Sequence, residues 1–183
     1  MEKELAPTHC DIKALAQVGE ELTGEGRLSG LLRLAADLRV DGPDEGVRWR
    51  VRAEKRTSLA GAEDVWLHLK VETVLPLICQ RCLGPVDVPV SVNRWFRFVA
   101  NEELALAQDE EFDEDLLVMS REFNLAELIE DELLMDAPTV PRHPVCPFAV
   151  KLSVVDTDFE ESNADKANPF AVLATLQGAK SGG

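Results

Sequence analysis

Cys79-Gln80-Arg81-Cys82 and His143-Pro144-Val145-Cys146 are the two stretches of this sequence whose residue types and spacing could do chemistry. Each sets two metal-ligating side chains three positions apart, so that one turn can aim both at a single ion. Together they number the four ligands of a tetrahedral zinc site. About sixty residues separate the two pairs, far more than in a compact zinc finger, and one CxxC beside one HxxC is less specific than two CxxC motifs. The leading expectation is therefore burial, with Cys82 and Leu83 packing into a sheet core as small hydrophobes. Zinc on Cys79, Cys82, His143 and Cys146 stands behind it, and no other cofactor is implied. A catalytic thiol pair comes last, because oxidoreductases place CxxC at a helix N-terminus beside a βαβ unit, whereas strands flank this one. Cys10 has no spaced partner.

No other catalytic arrangement competes. The chain has no P-loop, dinucleotide glycine fingerprint, Gly-x-Ser-x-Gly or HExxH. Its carboxylates are abundant, but runs of Asp and Glu form solvated faces, whereas acid–base catalysis needs a positioned pair. The expectation is a protein that is not an enzyme.

Charge narrows the partner. The net charge is -15 over 183 residues, and nearly all the excess lies late: residues 101–183 hold 5 Lys/Arg against 19 Asp/Glu. Such a half repels phosphate backbones and attracts basic proteins. No window reaches the roughly 18 unbroken apolar residues of a membrane span, and the start Met1-Glu2-Lys3-Glu4 is not that of a secretory signal. Cytoplasmic location follows as an expectation, and reduced thiols with it.

The elements that must position these residues follow from periodicity. Val47, Trp49, Val51 and Ala53 alternate with Arg48, Arg50, Arg52 and Glu54, which predicts a half-buried strand with a basic stripe. Val65 to Val74 repeats the pattern after a hairpin loop at Thr57 to Asp64, and Val86 to Val99 predicts a third strand. Pro89 marks that strand as edge or irregular. The three make an antiparallel β-meander, or a partly closed barrel, covered by helices: an α+β fold.

Helices are expected at Asp11 to Val18, ended by Gly19; at Gly30 to Leu38, with Ser29 as N-cap; and from Asn124 to about Met135, stopped by Pro138 and Pro141. The acidic stretch Asn101 to Asp115 reads as a solvated loop before a short strand at Leu116 to Met119. Residues 1–150 thus form a single α+β domain, with strands within about 47–99 and a helix at about 125–135. Residues 151–183 read as a polar tether and a short helix at 169–177, opened by Asn168, Pro169 and Phe170 and closed by Gly178. So short a helix is marginal alone and should dock on the body or on a partner.

Three islands together resemble the YceD family, named for large ribosomal RNA subunit accumulation. They are Cys79-Gln80-Arg81-Cys82-Leu83; Ile129-Glu130-Asp131-Glu132-Leu133-Leu134 with Pro138, Val140, Pro141, His143 and Cys146; and Asn168-Pro169-Phe170-Ala171-Val172-Leu173-Ala174. The resemblance implies a role in synthesis, processing or stability of large-subunit (23S) ribosomal RNA, by binding rather than catalysis. Combined with the charge, it points to a basic ribosomal or assembly protein as partner, with Glu130, Asp131, Glu132, Asn168, Pro169 and Phe170 as candidate binding residues. The alternative is direct contact with ribosomal RNA through Arg48, Arg50 and Arg52, with Arg81 nearby. A zinc- or thiol-dependent enzyme is the remaining option.

Overall fold

Period-two alternation in the middle of the chain becomes a five-stranded sheet in the computed structural model, which describes residues 5–57, 63–108, 114–148 and 170. The strands β1 (Glu21–Arg27), β2 (Gly46–Thr57), β3 (Glu63–Ile78) and β4 (Pro85–Val99) follow one another across the sheet, each antiparallel to the last. A fifth strand, β5 (Asp115–Val118), adds parallel to the end of β4, with Phe96 opposite Asp115 and Val99 opposite Val118. The sheet is open and mixed, so the meander holds and the partly closed barrel does not. The class is α+β, with helices α1 (Ile12–Val18), α2 (Leu32–Asp37), α3 (Glu102–Gln108) and α4 (Leu125–Asp136) among the described residues.

One face of the sheet is the core. Val47, Val51 and Ala53 of β2, Leu67, Leu69, Val71 and Leu75 of β3, Ile12 of α1, and Leu125, Ile129 and Leu133 of α4 are all buried without exposure. A fully buried aliphatic side chain of this size contributes about 1.5–3 kcal/mol, whereas an exposed ion pair contributes about 0–1. Burial of this face therefore holds the layers together. On the opposite face His68 stacks on Trp95 at 4.2 Å, and the Arg56 guanidinium lies over Trp95 and Trp66 at 4.0 and 4.5 Å. Packing therefore accounts for His68.

Helix ends read from sequence hold at Gly19 and Asn124, and Asp11 proves to be the N-cap of α1 rather than its first residue. Asp11 accepts from the Ala14 N–H and Gly19 closes α1 at φ 70°, and Asn124 accepts from the Glu127 N–H at the start of α4. At α2 the expected cap fails: the Ser29 amide and hydroxyl both donate to the Asp44 carboxylate at 3.0 Å. Ser29 sits in a 3-10 turn, Leu28–Gly30, and Leu31 flanks α2 with no side-chain cap of its own. A carboxylate from α4 takes that place, as described below.

Two further expectations change. β1 escaped the sequence reading because Glu-Leu-Thr-Gly-Glu-Gly-Arg carries one large apolar residue; it pairs with β2, and a Cβ on Gly24 would lie 2.5 Å from the Trp49 ring. The acidic loop begins as helix α3, where Asn101 accepts from the Leu104 N–H, while residues 109–113 lie outside the described set. Pro89 behaves as expected. It pairs with Val74, and β5 reaches only Phe96 to Val99, so that half of β4 has no outer neighbour among the described residues. The hairpin tip 58–62, the tether 151–168 and the terminal helix expected at 169–177 lie outside the described residues, apart from Phe170.

Candidate metal centre

The β3–β4 turn is built to aim two thiols at one point. The Cys79 N–H donates to the Gly84 carbonyl at 2.9 Å and the Leu83 N–H to the Cys79 carbonyl at 2.8 Å. Closing it forces Leu83 to φ 57°, the left-handed region that leucine rarely enters. The segment after α4 then lies alongside: the Gln80 N–H donates to the Pro141 carbonyl at 2.8 Å, and Arg81 donates to the His143 carbonyl at 2.7 Å. These bonds bring His143 and Cys146 across to Cys79 and Cys82, whose ligand atoms all lie within 4.8 Å of one another.

The geometry suits a tetrahedral ion. Cys79 Sγ lies 4.0 Å from Cys146 Sγ, and Cys82 Sγ 3.4 Å from His143 Nδ1. Zn–S bonds of about 2.3 Å and Zn–N bonds of about 2.0 Å set ligand–ligand edges of roughly 3.5–3.8 Å. His143 Nε2 lies 2.9 Å from the Pro85 carbonyl. A carbonyl can only accept, so that nitrogen carries the proton and the Nδ1 lone pair faces the sulfurs. A second hydrogen bond of this kind is what orients metal-ligating histidines.

The electrostatics favour a thiolate. Burial opposes ionisation of Cys79, but hydrogen bonds from the backbone at Cys82, His143 and Arg81 outweigh it and bring the thiol down to about 5. Cys146 is pushed up to about 11 by burial and by the Cys82 and Cys79 sulfurs, against the opposing charge of Arg81. One thiol thus ionises readily beside another, Cys146, that resists, an arrangement a divalent cation would relieve by stabilising the bound thiolates together. The core expectation for this turn holds in part: Cys82 is partly buried and packs against the core, but the fully buried thiol is Cys79, and Leu83 is 76% exposed.

The other candidate residues disperse. Arg48, Arg50 and Arg52 do form a stripe, but each lies beside a carboxylate: Glu72 at 3.2 Å, Glu21 at 3.5 Å and Glu54 at 3.9 Å. Glu130 is buried and turned inward, accepting from the Arg33 and Leu34 N–H groups at 2.7 and 3.1 Å and from Arg33 Nε at 3.0 Å. It is the missing cap of α2. Glu132 is also buried, 3.2 Å from Arg94, while Asp131 is half-exposed and pairs with Arg33 at 2.6 Å. Asn168 and Pro169 lie outside the described residues, and Phe170 is exposed in a turn. Sequence reasoning missed Pro85, whose carbonyl holds His143. The only signal was the Gly84-Pro85 turn dipeptide next to CxxC.

An α+β sheet protein with a Cys3His cluster clasping a β-turn to the segment after a helix is the class that this fold and site define. Residues 67–177 match the family model described as "Large ribosomal RNA subunit accumulation protein YceD", and the chain belongs to that family. It is similar to the "Large ribosomal RNA subunit accumulation protein YceD" of Haemophilus influenzae, 33% identical over 110 residues, covering 59% of this chain and 63% of that protein. The chain thus spans a little under two thirds of the length of this curated relative. No solved structure matches it. The family is named for an RNA outcome, not for a catalysed reaction.

Proposed function

We propose that the chain serves accumulation of large-subunit ribosomal RNA as a non-enzymatic accessory factor that binds a basic ribosomal or assembly protein. The observation that carries this reading is where the charge lies. The arginines of β2 sit among carboxylates that cancel their field, whereas residues 101–183 hold 19 Asp and Glu against 5 Lys and Arg, an excess that the pairs made with Arg33 and Arg94 offset only in part. Cations recruited by such a surface are steered from a distance at low salt and released as salt screens it. Asp131 and the segment Asn168-Pro169-Phe170 are the binding residues on this reading, and residues 151–183 are the tether that presents the segment. Glu130 and Glu132, held inside, support the surface instead. The cytoplasm is the place of action, and no helix among the described residues is long and apolar enough to cross a membrane.

The test is affinity capture from ribosome-assembling lysate at low and at about 0.5 M salt, with proteins and RNA both identified. Basic proteins retained at low salt and lost at high salt are the expected result. Ribosomal RNA recovered free of protein, and lost on R50A/R52A, would establish direct RNA contact instead and refute the protein-partner reading.

Within the same reading the Cys3His cluster holds zinc as a structural clasp. Four protein ligands leave no open coordination position for a substrate or a reactive water, which separates closed structural sites from catalytic ones. Purified protein should contain one zinc per chain, and Cys82→Ser should lose it and melt lower by several degrees, at about 2–4 °C per kcal/mol for a chain of this length. Protein that lacks metal and whose melting is indifferent to a chelator would remove zinc from the account.

A further inference from the structure

We infer that the Cys3His cluster is an oxidation site, in which a peroxide joins Cys79 to Cys146, expels the ion, and replaces the metal clasp between the β3–β4 turn and the segment after α4 with a covalent one. This deepens the zinc reading and rests on it. The sulfurs of Cys79 and Cys146 are 4.0 Å apart and in direct contact, about 2 Å from disulfide bonding distance. Cys79 is fully buried and Cys146 partly exposed. The exposed sulfur therefore meets the oxidant, and the buried one resolves it.

The order of bond changes follows. The Cys146 thiolate attacks one peroxide oxygen, the O–O bond breaks, hydroxide leaves and Cys146 becomes a sulfenic acid. The Cys79 thiolate then attacks the Cys146 sulfur, the S–S bond forms, and a second hydroxide leaves. Two thiolates have lost two electrons, and one hydrogen peroxide has become two waters once the hydroxides take up protons. With two of its four ligands consumed, the cation dissociates.

Backbone geometry selects this pair over the adjacent Cys79 and Cys82. Drawing those two together would have to deform a turn closed by the Leu83-to-Cys79 and Cys79-to-Gly84 hydrogen bonds, already strained at Leu83. Cys146 sits in an irregular stretch, held at Pro141 and His143 and with the Phe148 ring near Gly84, outside the hydrogen-bonded turn itself. It can move the distance required. Cys10 bridges to Phe123 and is not one of the clustered ligands.

The experiment uses zinc-loaded full-length protein carrying Cys10→Ser, titrated with hydrogen peroxide. Released zinc is read by a chromogenic chelator, and disulfides are located by mass spectrometry before and after dithiothreitol. One zinc released per chain, together with a Cys79–Cys146 disulfide that dithiothreitol reverses, is the expected result. In the same assay Cys146→Ser should form no such disulfide. A zinc-loaded chain that yields a Cys79–Cys82 disulfide, or only irreversible sulfonic acid, overturns this inference and leaves the zinc reading standing. A chain that carries no zinc before any oxidant is added overturns both.

Discussion

Glu130 shows how far a residue's role can lie from its sequence neighbourhood. Read along the chain it belongs to an acidic run, yet it accepts two backbone N–H groups of α2 and pairs with Arg33. Glu130→Ala should destabilise by about 2 kcal/mol, since it strips a helix N-terminus of its cap and leaves buried donors unpaired; urea denaturation measures it. Glu132 carries a different prediction. Burial raises its pKa, with Arg94 opposing and Asp115 and Asp131 adding to the rise. A carboxyl whose pKa is higher folded than unfolded contributes stability that is complete below the unfolded pKa and is lost as pH climbs through the folded one. The stability difference between Glu132→Gln and the parent should therefore shift in favour of Gln as pH goes from about 4 to about 7. A flat or reversed difference counts against the burial account. The ligand residues Cys79, Cys82, His143 and Cys146 were legible by type and spacing alone. Their convergence was not, because it depends on bonds from Gln80 and Arg81 across some sixty residues to Pro141 and His143.

At the scale of elements, alternation and capping made β2, β3, β4, α1 and α4 readable, since each writes its buried face into its own sequence. The helix α2 was readable too, but its cap and the strand β1 are defined by what they meet. Gly24 and Gly26 lower the strand signal of β1, but Gly24 is where the Trp49 ring crosses the backbone, with Trp49 Nε1 donating to the Leu5 carbonyl at 2.8 Å. Gly24→Val should cost about 1–3 kcal/mol by overpacking against that ring, despite valine's greater strand preference. Equilibrium unfolding decides the matter, and a stabilised variant would mean that the ring moves freely. α3 was misread for a related reason: Glu102 and Glu103 favour the positive end of a helix dipole as much as they favour solvent.

For the whole molecule, the net charge of -15 makes self-repulsion a term in stability. Raising salt from about 10 mM to about 150 mM shortens the screening length from roughly 30 to 8 Å and should raise the melting temperature. Thermal scans at several salt concentrations check it, and a fall would show that the surface ion pairs outweigh the repulsion. The order of the fold has one more consequence, in time. The meander joins neighbours in sequence and can assemble as the polypeptide emerges, but α2 waits for a carboxylate 97 residues further along. At translation rates of about 5–20 residues per second, that delay is roughly 5–20 s. A newborn chain therefore passes through an interval in which its sheet is assembling strand by strand and the first turn of α2 still frays, until Glu130 leaves the ribosome and seals it.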